Sequence, residues 1–480
     1  MVWRGFTALL RVDRRDRLHH APSPHLRTPP RNAHPVTAGA ISGRGSRRSV
    51  RPLAGVLGAV AVAVTGTRVS AIALPWFVLV TTGSATQTGL VAFCEMTPYV
   101  LVKMFTGPLV DRAGPRTVSW AADALSACAA GLIPLFHALG LLHFWLLLAL
   151  VAVIGAARGP GDLAKEVMVP EAADLSRVPL ERATGFSGVT ERLASTVGPA
   201  AGGALVAWLG PMTGLVLNAA CFALGSLVVA AVLPRGMGRA AVPGADTGDT
   251  GDSADDPGYW RRFREGFTFL RGEPLLLTVI VMVGITNLIE AGFATVLIPV
   301  WADESGGGPA AIGLISAVSG VVAVAGSLVA AAVAHRLRRR LVFFAGFLLA
   351  GAPKFLALAF GAPMWAVLAV FAVSGFGGGF LNPIIGAISF ERVPRSLLGR
   401  VRALGDSLAW SGIPLGGLLA GAAVTAAGLA PVLLASGALY FLTTNLAALR
   451  PEWREMDRTR GKGRAPDTPA PAAEPEPNPS

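Results

Sequence analysis

The sequence predicts an all-α polytopic membrane protein with twelve transmembrane helices in two pseudo-symmetric six-helix bundles. Hydrophobic residues make up 52% of the 480-residue chain and charged residues only 15%, a balance typical of membrane proteins rather than soluble domains. Twelve apolar runs come close to or exceed the roughly 20 residues that a helix needs to cross a bilayer. A charged turn after the second run has a counterpart after the eighth, which indicates a duplicated six-helix unit.

The predicted spans are numbered 1 to 12 in chain order. They cover residues 54–80, 88–110, 117–139, 144–162, 186–208, 212–233, 275–300, 310–334, 341–360, 364–387, 404–426 and 432–449. The longest internal loop divides them six and six. The predicted domains are therefore a tail (1–52), an amino-terminal bundle (53–233), a linker (234–274), a carboxy-terminal bundle (275–449) and a second tail (450–480).

The loop charges predict the orientation of the spans. The connections after odd-numbered spans contain no Lys or Arg, whereas each connection after an even-numbered span contains at least two. Because basic loops stay on the cytoplasmic side, both termini are expected to be cytoplasmic. The expected location is the plasma membrane, which the chain crosses many times.

The net charge of +12 does not indicate nucleic-acid binding. The tail 1–52 contains eleven Arg, no Lys and two Asp, so nine of the twelve excess positive charges lie there. This tail and the Pro/Ala/Glu-rich end are expected to be disordered. In the linker, the Asp-rich stretch 244–256 lacks calcium-loop spacing, whereas 259–271 has aromatic and apolar residues at helical intervals. The latter predicts an amphipathic helix along the membrane surface.

The charged turn after span 2 carries the first family resemblance. Its residues are Gly107-Pro-Leu-Val-Asp111-Arg112-Ala-Gly114-Pro-Arg116. It resembles the loop between the second and third helices of the major facilitator superfamily, in which the Asp and Arg make cytoplasmic contacts between the halves in the outward-open state. The second copy has His335 and Arg336 in place of Asp111 and Arg112. The resemblance implies an unequal cytoplasmic gate, and the alternative is that these arginines only set topology.

Span 5 carries a second resemblance, in the segment Gly198-Pro199-Ala-Ala-Gly202-Gly203. This segment is similar to the Gly-Pro-x-x-Gly-Gly signature of drug:proton antiporters in the same superfamily. Pro199 removes a backbone hydrogen bond and bends the helix, while Gly198 and Gly202 allow a neighbouring helix to pack closely. Together with 67–77, 83–90 and 382–386, the motif resembles the macrolide-efflux-like branch and implies an exporter. A role in packing alone is the alternative interpretation.

Charged residues inside the spans are candidate functional residues, because a charge near the bilayer centre costs about 2.5 to 3.5 kcal/mol on insertion scales. The deepest are Arg68, Glu95, Lys103, Glu290 and Lys354. Five others are expected nearer the cytoplasmic ends of their spans, namely Asp123, Arg158, Asp162, Glu191 and Asp406.

The superfamily resemblance ranks these candidates, since spans 1, 4, 7 and 10 line the central cavity in that family. Arg68 and Glu290 are then best placed to meet substrate and protons. Glu290 is the first candidate proton carrier and Glu95 the second. The alternative is a static salt bridge, such as Glu95 with Lys103 or Arg68. Lys354 lies in the normally peripheral span 9 and is expected to pair structurally. Trp76 and Phe293 are candidate contacts for an amphiphilic substrate.

The predicted function is export of a drug-like or amphiphilic small molecule by alternating access, coupled to protons. The sequence has no P-loop and no cluster with metal-ligand spacing, so we expect neither an enzyme nor a cofactor. The expected partners are the substrate, protons and the lipid bilayer, and the chain is expected to act as a monomer. The alternatives are an importer or facilitator of a small nutrient, or a non-transporting receptor or assembly factor on the same scaffold.

Overall fold

The computed structural model describes residues 50–235, 237, 259–333, 337–394, 397–449 and 453. The predictions for the amino-terminal tail, the acidic part of the linker, His335, Arg336 and most of the carboxy-terminal tail lie outside these residues. All regular elements in the described part of the chain are helices, which confirms the all-α prediction.

The spans follow one another in the predicted order, and several consist of more than one helix. Spans 1 to 6 are Arg51–Thr82, Ala85–Phe105, Pro115–Ala138, Phe144–Leu175, Leu180–Leu209 and Pro211–Val232. Span 7 comprises Pro274–Gly292, Phe293–Leu297 and Ile298–Glu304, and span 8 is Gly308–Val333. Spans 9 to 12 are Arg339–Ala350 with Ala352–Ala359, Met364–Gly379 with Leu381–Arg392, Leu398–Trp410 with Ile413–Ala427, and Leu429–Leu449. Two further helices lie outside the spans: Gly107–Ala113 follows span 2, and Tyr259–Gly272 precedes span 7.

Among the described residues, eleven helices are long and apolar enough to cross a membrane. The remaining span, span 5, has 30 residues, but four charged side chains and several glycines lower its hydropathy. It nevertheless packs lengthwise between span 1 and span 8. Span 5 is therefore an integral part of the bundle.

Spans 1–6 and spans 7–12 form the two six-helix bundles, which meet along two helix pairs. Span 2 packs against span 11, and span 5 packs against span 8. We call the side with the Lys- and Arg-containing loops the basic face, and the opposite side the neutral face. The basic face brings together the start of span 1 and the end of span 4, where the Leu53 amide donates to the Ser176 hydroxyl at 3.2 Å.

The carboxy-terminal half contains more irregular spans than the amino-terminal half. Span 7 has a π-helical turn at Phe293–Leu297, and spans 9, 10 and 11 are interrupted at Gly351, Phe380 and 411–412. Interruptions of this kind are frequent at functional sites, where they redirect side chains out of the regular helical pattern.

One residue of the predicted disordered tail 450–480 is packed. Trp453 is fully buried, and its ring lies 5.2 Å from that of Phe343 and 5.1 Å from that of Phe344. Packing against the aromatic rings of span 9 therefore fixes the position of Trp453, which follows span 12 in the sequence.

Candidate functional site

A cleft between the halves is closed at the neutral face and opens at the basic face. Near the neutral face the hydroxyls of Thr86 in span 2 and Thr425 in span 11 are hydrogen-bonded at 2.8 Å. Towards the basic face, eight of the ten residues in 184–193 of span 5 are exposed. A helix packed against a partner would bury one side, so this stretch of span 5 has no closely packed neighbour from the other half.

Paired glycines allow the close approach of the halves at the neutral face. A Cβ atom at Gly203 would lie 2.5 Å from the Cα atom of Gly313 in span 8, and one at Gly202 would lie 3.0 Å from Val69 Cα in span 1. Span 11 has the equivalent arrangement: Gly416 faces span 7, and a Cβ at Gly417 would lie 3.0 Å from the Ala92 side chain in span 2. In each motif the first glycine packs within its own half. Gly203 packs against the other half, whereas Gly417 lies between Thr295 of its own half and Ala92 of the other.

The amino-terminal half contains a network of charged and aromatic side chains near the midpoints of spans 2 and 4. Arg158 Nη1 donates to Glu95 Oε1 at 2.8 Å, and Arg158 Nε lies 3.8 Å from Asp162 Oδ2. The guanidinium also lies 4.5 Å from the centre of the Tyr99 ring. Glycine makes the approach possible, because a Cβ at Gly159 would come within 2.9 Å of the Tyr99 carbonyl oxygen.

Glu95 takes part in a salt bridge, the alternative to proton carriage, but its partner differs from the two examples given. The partner of Glu95 is Arg158, not Lys103 or Arg68, and Lys103 lies 3.5 Å from Glu166. The apolar run that ends at residue 162 predicts a position near the span end for Arg158. Span 4 continues to Leu175, which places Arg158 close to its midpoint.

A second charged pair of this half is fully enclosed. Lys165 Nζ donates to Asp123 Oδ1 at 2.7 Å, and the two side chains are only 4% and 2% exposed. Asp123 Oδ2 has no hydrogen-bond partner, and a Cβ at Gly225 would lie 3.2 Å from it. This enclosed pair joins span 3 to span 4.

The carboxy-terminal half has one bidentate ion pair near the midpoint of span 7. Lys354 Nζ donates to both carboxylate oxygens of Glu290, at 2.6 and 2.7 Å. The Lys354 side chain is 9% exposed, whereas the Glu290 side chain is 36% exposed. The carboxylate is therefore the member of the pair that water can reach.

A break in span 9 brings Lys354 to this position. Helix Arg339–Ala350 ends at Gly351. The ring of Tyr440 occupies the space that a Cβ atom at this glycine would fill. A second helix then begins at Ala352 with Pro353 in its first turn. The ammonium of Lys354 lies 4.9 Å from the ring centre of Phe293 and 5.6 Å from that of Phe355. The lysine of an otherwise peripheral span thus reaches the interior between aromatic rings.

The two candidate aromatic contacts differ in accessibility. Phe293 is 2% exposed and packs against Phe355, with ring centres 4.4 Å apart, so it lies behind Glu290 and not on the cleft surface. Trp76 is half-buried and packs against apolar residues of both halves. It lies near the neutral-face end of span 1, at the closed end of the cleft.

Arg68 is an exposed cation in the middle of span 1. Within the described residues no carboxylate lies within ion-pair distance of it. Its stem packs against span 5, where a Cβ at Gly198 would be 2.7 Å from the Arg68 Cβ. The guanidinium is therefore available to an anionic or hydrogen-bond-accepting ligand.

The charged turn folds as the short helix Gly107–Ala113, which ends at Gly114 with a φ of 84°. A positive φ of this size favours glycine. Arg116 donates to the carbonyl oxygens of Leu233 at 3.0 Å and Ala230 at 2.5 Å, so it binds the end of span 6 in its own half. Arg112 is exposed. The side chain of Asp111, like His335 and Arg336, lies outside the part that the structure describes.

Two residues that sequence reasoning did not place at the central cavity contact the candidate carboxylates. Arg158 is the partner of Glu95, and Lys354, which is expected to pair structurally, is the partner of Glu290. The sequence signal for Lys354 is Gly351-Ala-Pro353, which predicts a helix interruption just before it.

The arrangement offers carboxylates that can accept protons and a cation that can bind an anion. No group of three or more His, Cys, Asp or Glu side chains suited to a metal ion occurs in the described ranges.

Comparison with known proteins relates this geometry to a family. The sequence matches the profile of the Major Facilitator Superfamily over residues 56–306 and 280–475. The multidrug efflux pump Tap of Mycobacterium tuberculosis is 33% identical over 414 residues, which cover 84% of this chain and 94% of that pump. Tap of Mycolicibacterium fortuitum is 28% identical over 413 residues, covering 85% and 97%. The solved nucleoside transporter NupG has a TM-score of 0.64 at 13% identity, covering 85% of this chain and 99% of NupG. The chain belongs to the major facilitator superfamily of membrane transporters.

Proposed function

We propose that this transporter exports a drug-like or amphiphilic small molecule by alternating access, coupled to proton entry. The basic face is cytoplasmic, by the positive-inside rule, so the cleft described above is open to the cytoplasm. The likeness to multidrug efflux pumps over nearly their whole length supports export of this substrate class. The chain acts as a monomer and without a cofactor.

The observation that carries proton coupling is the unequal burial of the Glu290–Lys354 pair. The carboxylate is partly exposed, and the ammonium is enclosed between aromatic rings. Protonation of Glu290 removes the negative charge that stabilises the buried ammonium, so the pair separates and the local packing of spans 7 and 9 changes. Proton binding and the conformational equilibrium are then linked, as coupled transport requires.

Substrate binding completes the coupling. Arg68 and the region around Trp76 offer a cation and an aromatic surface on the amino-terminal wall of the cleft. A substrate bound there favours the state in which Glu290 releases its proton to the cytoplasm. Each charge that moves inward supplies about 2.3 kcal/mol per 100 mV of membrane potential. Glu95, held by Arg158, is the second candidate carrier.

The glycine pairs and the charged turn have complementary roles in alternating access. The contacts of Gly203 and Gly417 across the halves close the extracellular side in the present conformation. The turn from Gly107 to Arg116 closes the cytoplasmic side in the opposite conformation, with Asp111 as its acidic contact. Neutralising Asp111 therefore slows the cycle without changing which compounds are recognised.

The test compares cells with and without the protein in a panel of toxic amphiphilic compounds. Wild-type protein should protect, and collapse of the proton gradient should abolish that protection. Glu290→Gln should abolish it as well, whereas Glu304→Gln at the exposed end of the same span is the matched control and should protect normally. Protection that survives gradient collapse would contradict coupling. Greater accumulation of the compounds in cells that contain the protein would indicate an importer.

A further inference from the structure

A groove runs along the outer surface of the carboxy-terminal half, between span 7 and span 12. Its volume is about 530 Å³, and it is separate from the cleft. Its wall is apolar, and three of its side chains are strongly exposed: Val281 at 52%, Ile285 at 37% and Leu446 at 58%. A surface of this kind on a membrane-spanning half is covered by lipid chains.

The length of the groove corresponds to one leaflet of the bilayer. It extends along span 7 from Pro274 to Ile285, about 16 Å at the helical rise of 1.5 Å per residue. Half of a bilayer's hydrocarbon core is about 15 Å thick. One acyl chain from the leaflet at the basic face therefore fits the groove from end to end.

Arg271 is the one cation among the described residues that line the groove, and it lies at the mouth. Arg271 lines it at the end of the amphipathic helix Tyr259–Gly272, exposed to the membrane surface. Its one contact among the described residues is with the ring of Phe267, at 5.8 Å from the ring centre. The nearby carboxylate of Glu273 is bound by Arg392 at 3.2 Å. The positive charge of Arg271 thus remains available.

We propose that this groove binds an anionic phospholipid of the leaflet at the basic face. The headgroup phosphate accepts hydrogen bonds from the Arg271 guanidinium, and one acyl chain lies between spans 7 and 12. A zwitterionic lipid would place an additional ammonium group beside Arg271, where the neighbouring acid Glu273 is already paired. The site therefore distinguishes lipids by headgroup charge. This proposal is independent of what the cleft transports.

The test measures lipid retention on the purified full-length protein. Protein from nanodiscs of equal phosphatidylglycerol and phosphatidylcholine content is transferred to detergent, and bound lipids are counted by native mass spectrometry. Wild type should retain one phosphatidylglycerol per chain in preference to phosphatidylcholine. Arg271→Gln should lower this preference about five-fold, the effect expected of one arginine near a membrane surface. Arg264→Gln, in the same helix but outside the groove, should leave it unchanged.

A second variant distinguishes lipid binding in the groove from diffuse attraction to a basic surface. Val281→Trp fills the acyl-chain portion while leaving Arg271 intact, and it should also reduce retained phosphatidylglycerol. Unchanged retention in Val281→Trp would mean that no chain occupies the groove, and an equal loss in Arg264→Gln would mean diffuse attraction to the helix. Either result overturns the proposal. If Arg271→Gln does not fold, Val281→Trp and Arg264→Gln still decide the question.

Discussion

The Glu290–Lys354 pair makes a quantitative prediction about stability, because its two members are unequally buried. Glu290→Gln leaves an ammonium that is 9% exposed without its counter-ion, whereas Lys354→Met leaves a carboxylate that is 36% exposed. Loss of one partner of a buried pair costs about 3 to 5 kcal/mol, while exposed pairs contribute about 0 to 1 kcal/mol. The first substitution should therefore be the more damaging one.

The magnitudes follow from the surroundings of each group. The rings of Phe293 and Phe355 lie within 4.9 and 5.6 Å of the ammonium and partly compensate for the lost carboxylate. Glu290→Gln should then cost about 3 kcal/mol, at the lower end of the buried range. Lys354→Met should cost about 1 kcal/mol, because cleft water hydrates the carboxylate. The double variant should stay within about 1 kcal/mol of wild type, since neither charge remains.

The assay is denaturant unfolding of the purified protein in detergent, analysed as a double-mutant cycle. We expect the double variant to be more stable than the sum of the single effects by about 3 kcal/mol. Glu166→Gln is the control, because that carboxylate is 65% exposed and its pair with Lys103 contributes little. Equal costs for the two single variants, or additive effects in the double variant, would refute the account of the pair.

Three further substitutions test other contacts. Gly203→Leu places a side chain against the backbone of span 8 and should open the neutral face. The labelling of a cysteine inside the cleft by a reagent added at the neutral face should then rise several-fold; unchanged labelling would mean that this contact does not close that face. Gly351→Ala puts a Cβ into the ring of Tyr440 and should cost about 1 to 3 kcal/mol in unfolding free energy, recovered in part by Tyr440→Leu; a neutral effect would disprove the steric explanation. Asp123→Asn leaves the buried ammonium of Lys165 without its counter-ion and should lower the free energy of unfolding by about 3 to 5 kcal/mol. Addition of Lys165→Met should recover most of this loss; no recovery would argue against an isolated pair.

The transmembrane architecture was predictable because the length of an apolar run and the charges of a loop are local signals. Span 4 shows the limit of such signals. Its apolar run ends near residue 162, but the helix continues to Leu175. Lys165 in this extension is accommodated by Asp123 of span 3, a contact that depends on tertiary packing and leaves no trace in the local pattern.

The candidate site was predictable in its residue types and not in its pairings. Glu290 and Glu95 could be singled out because charges in apolar runs are unusual. Their partners depend on how neighbouring spans are rotated and broken. Lys354 reaches Glu290 because span 9 is interrupted at Gly351, an interruption that a sequence-based count of spans does not resolve.

The glycine motifs illustrate a different limit. The glycine content alone predicts close packing around Gly202 and Gly203, but it does not predict which neighbouring span each glycine faces. The structure shows one facing span 1 and the other facing span 8 of the opposite half. Adjacent positions on a helix are 100° apart, so one motif serves both contacts.

Transport into sealed vesicles tests the central proposal of proton-coupled export most directly. Purified protein is reconstituted, a pH gradient is imposed, and uptake of a fluorescent drug-like probe such as ethidium is followed against its own gradient. Wild type and Glu304→Gln should accumulate the probe only while the pH gradient lasts, whereas Glu290→Gln should do no more than equilibrate it. Uphill transport by Glu290→Gln at the wild-type rate would contradict the account.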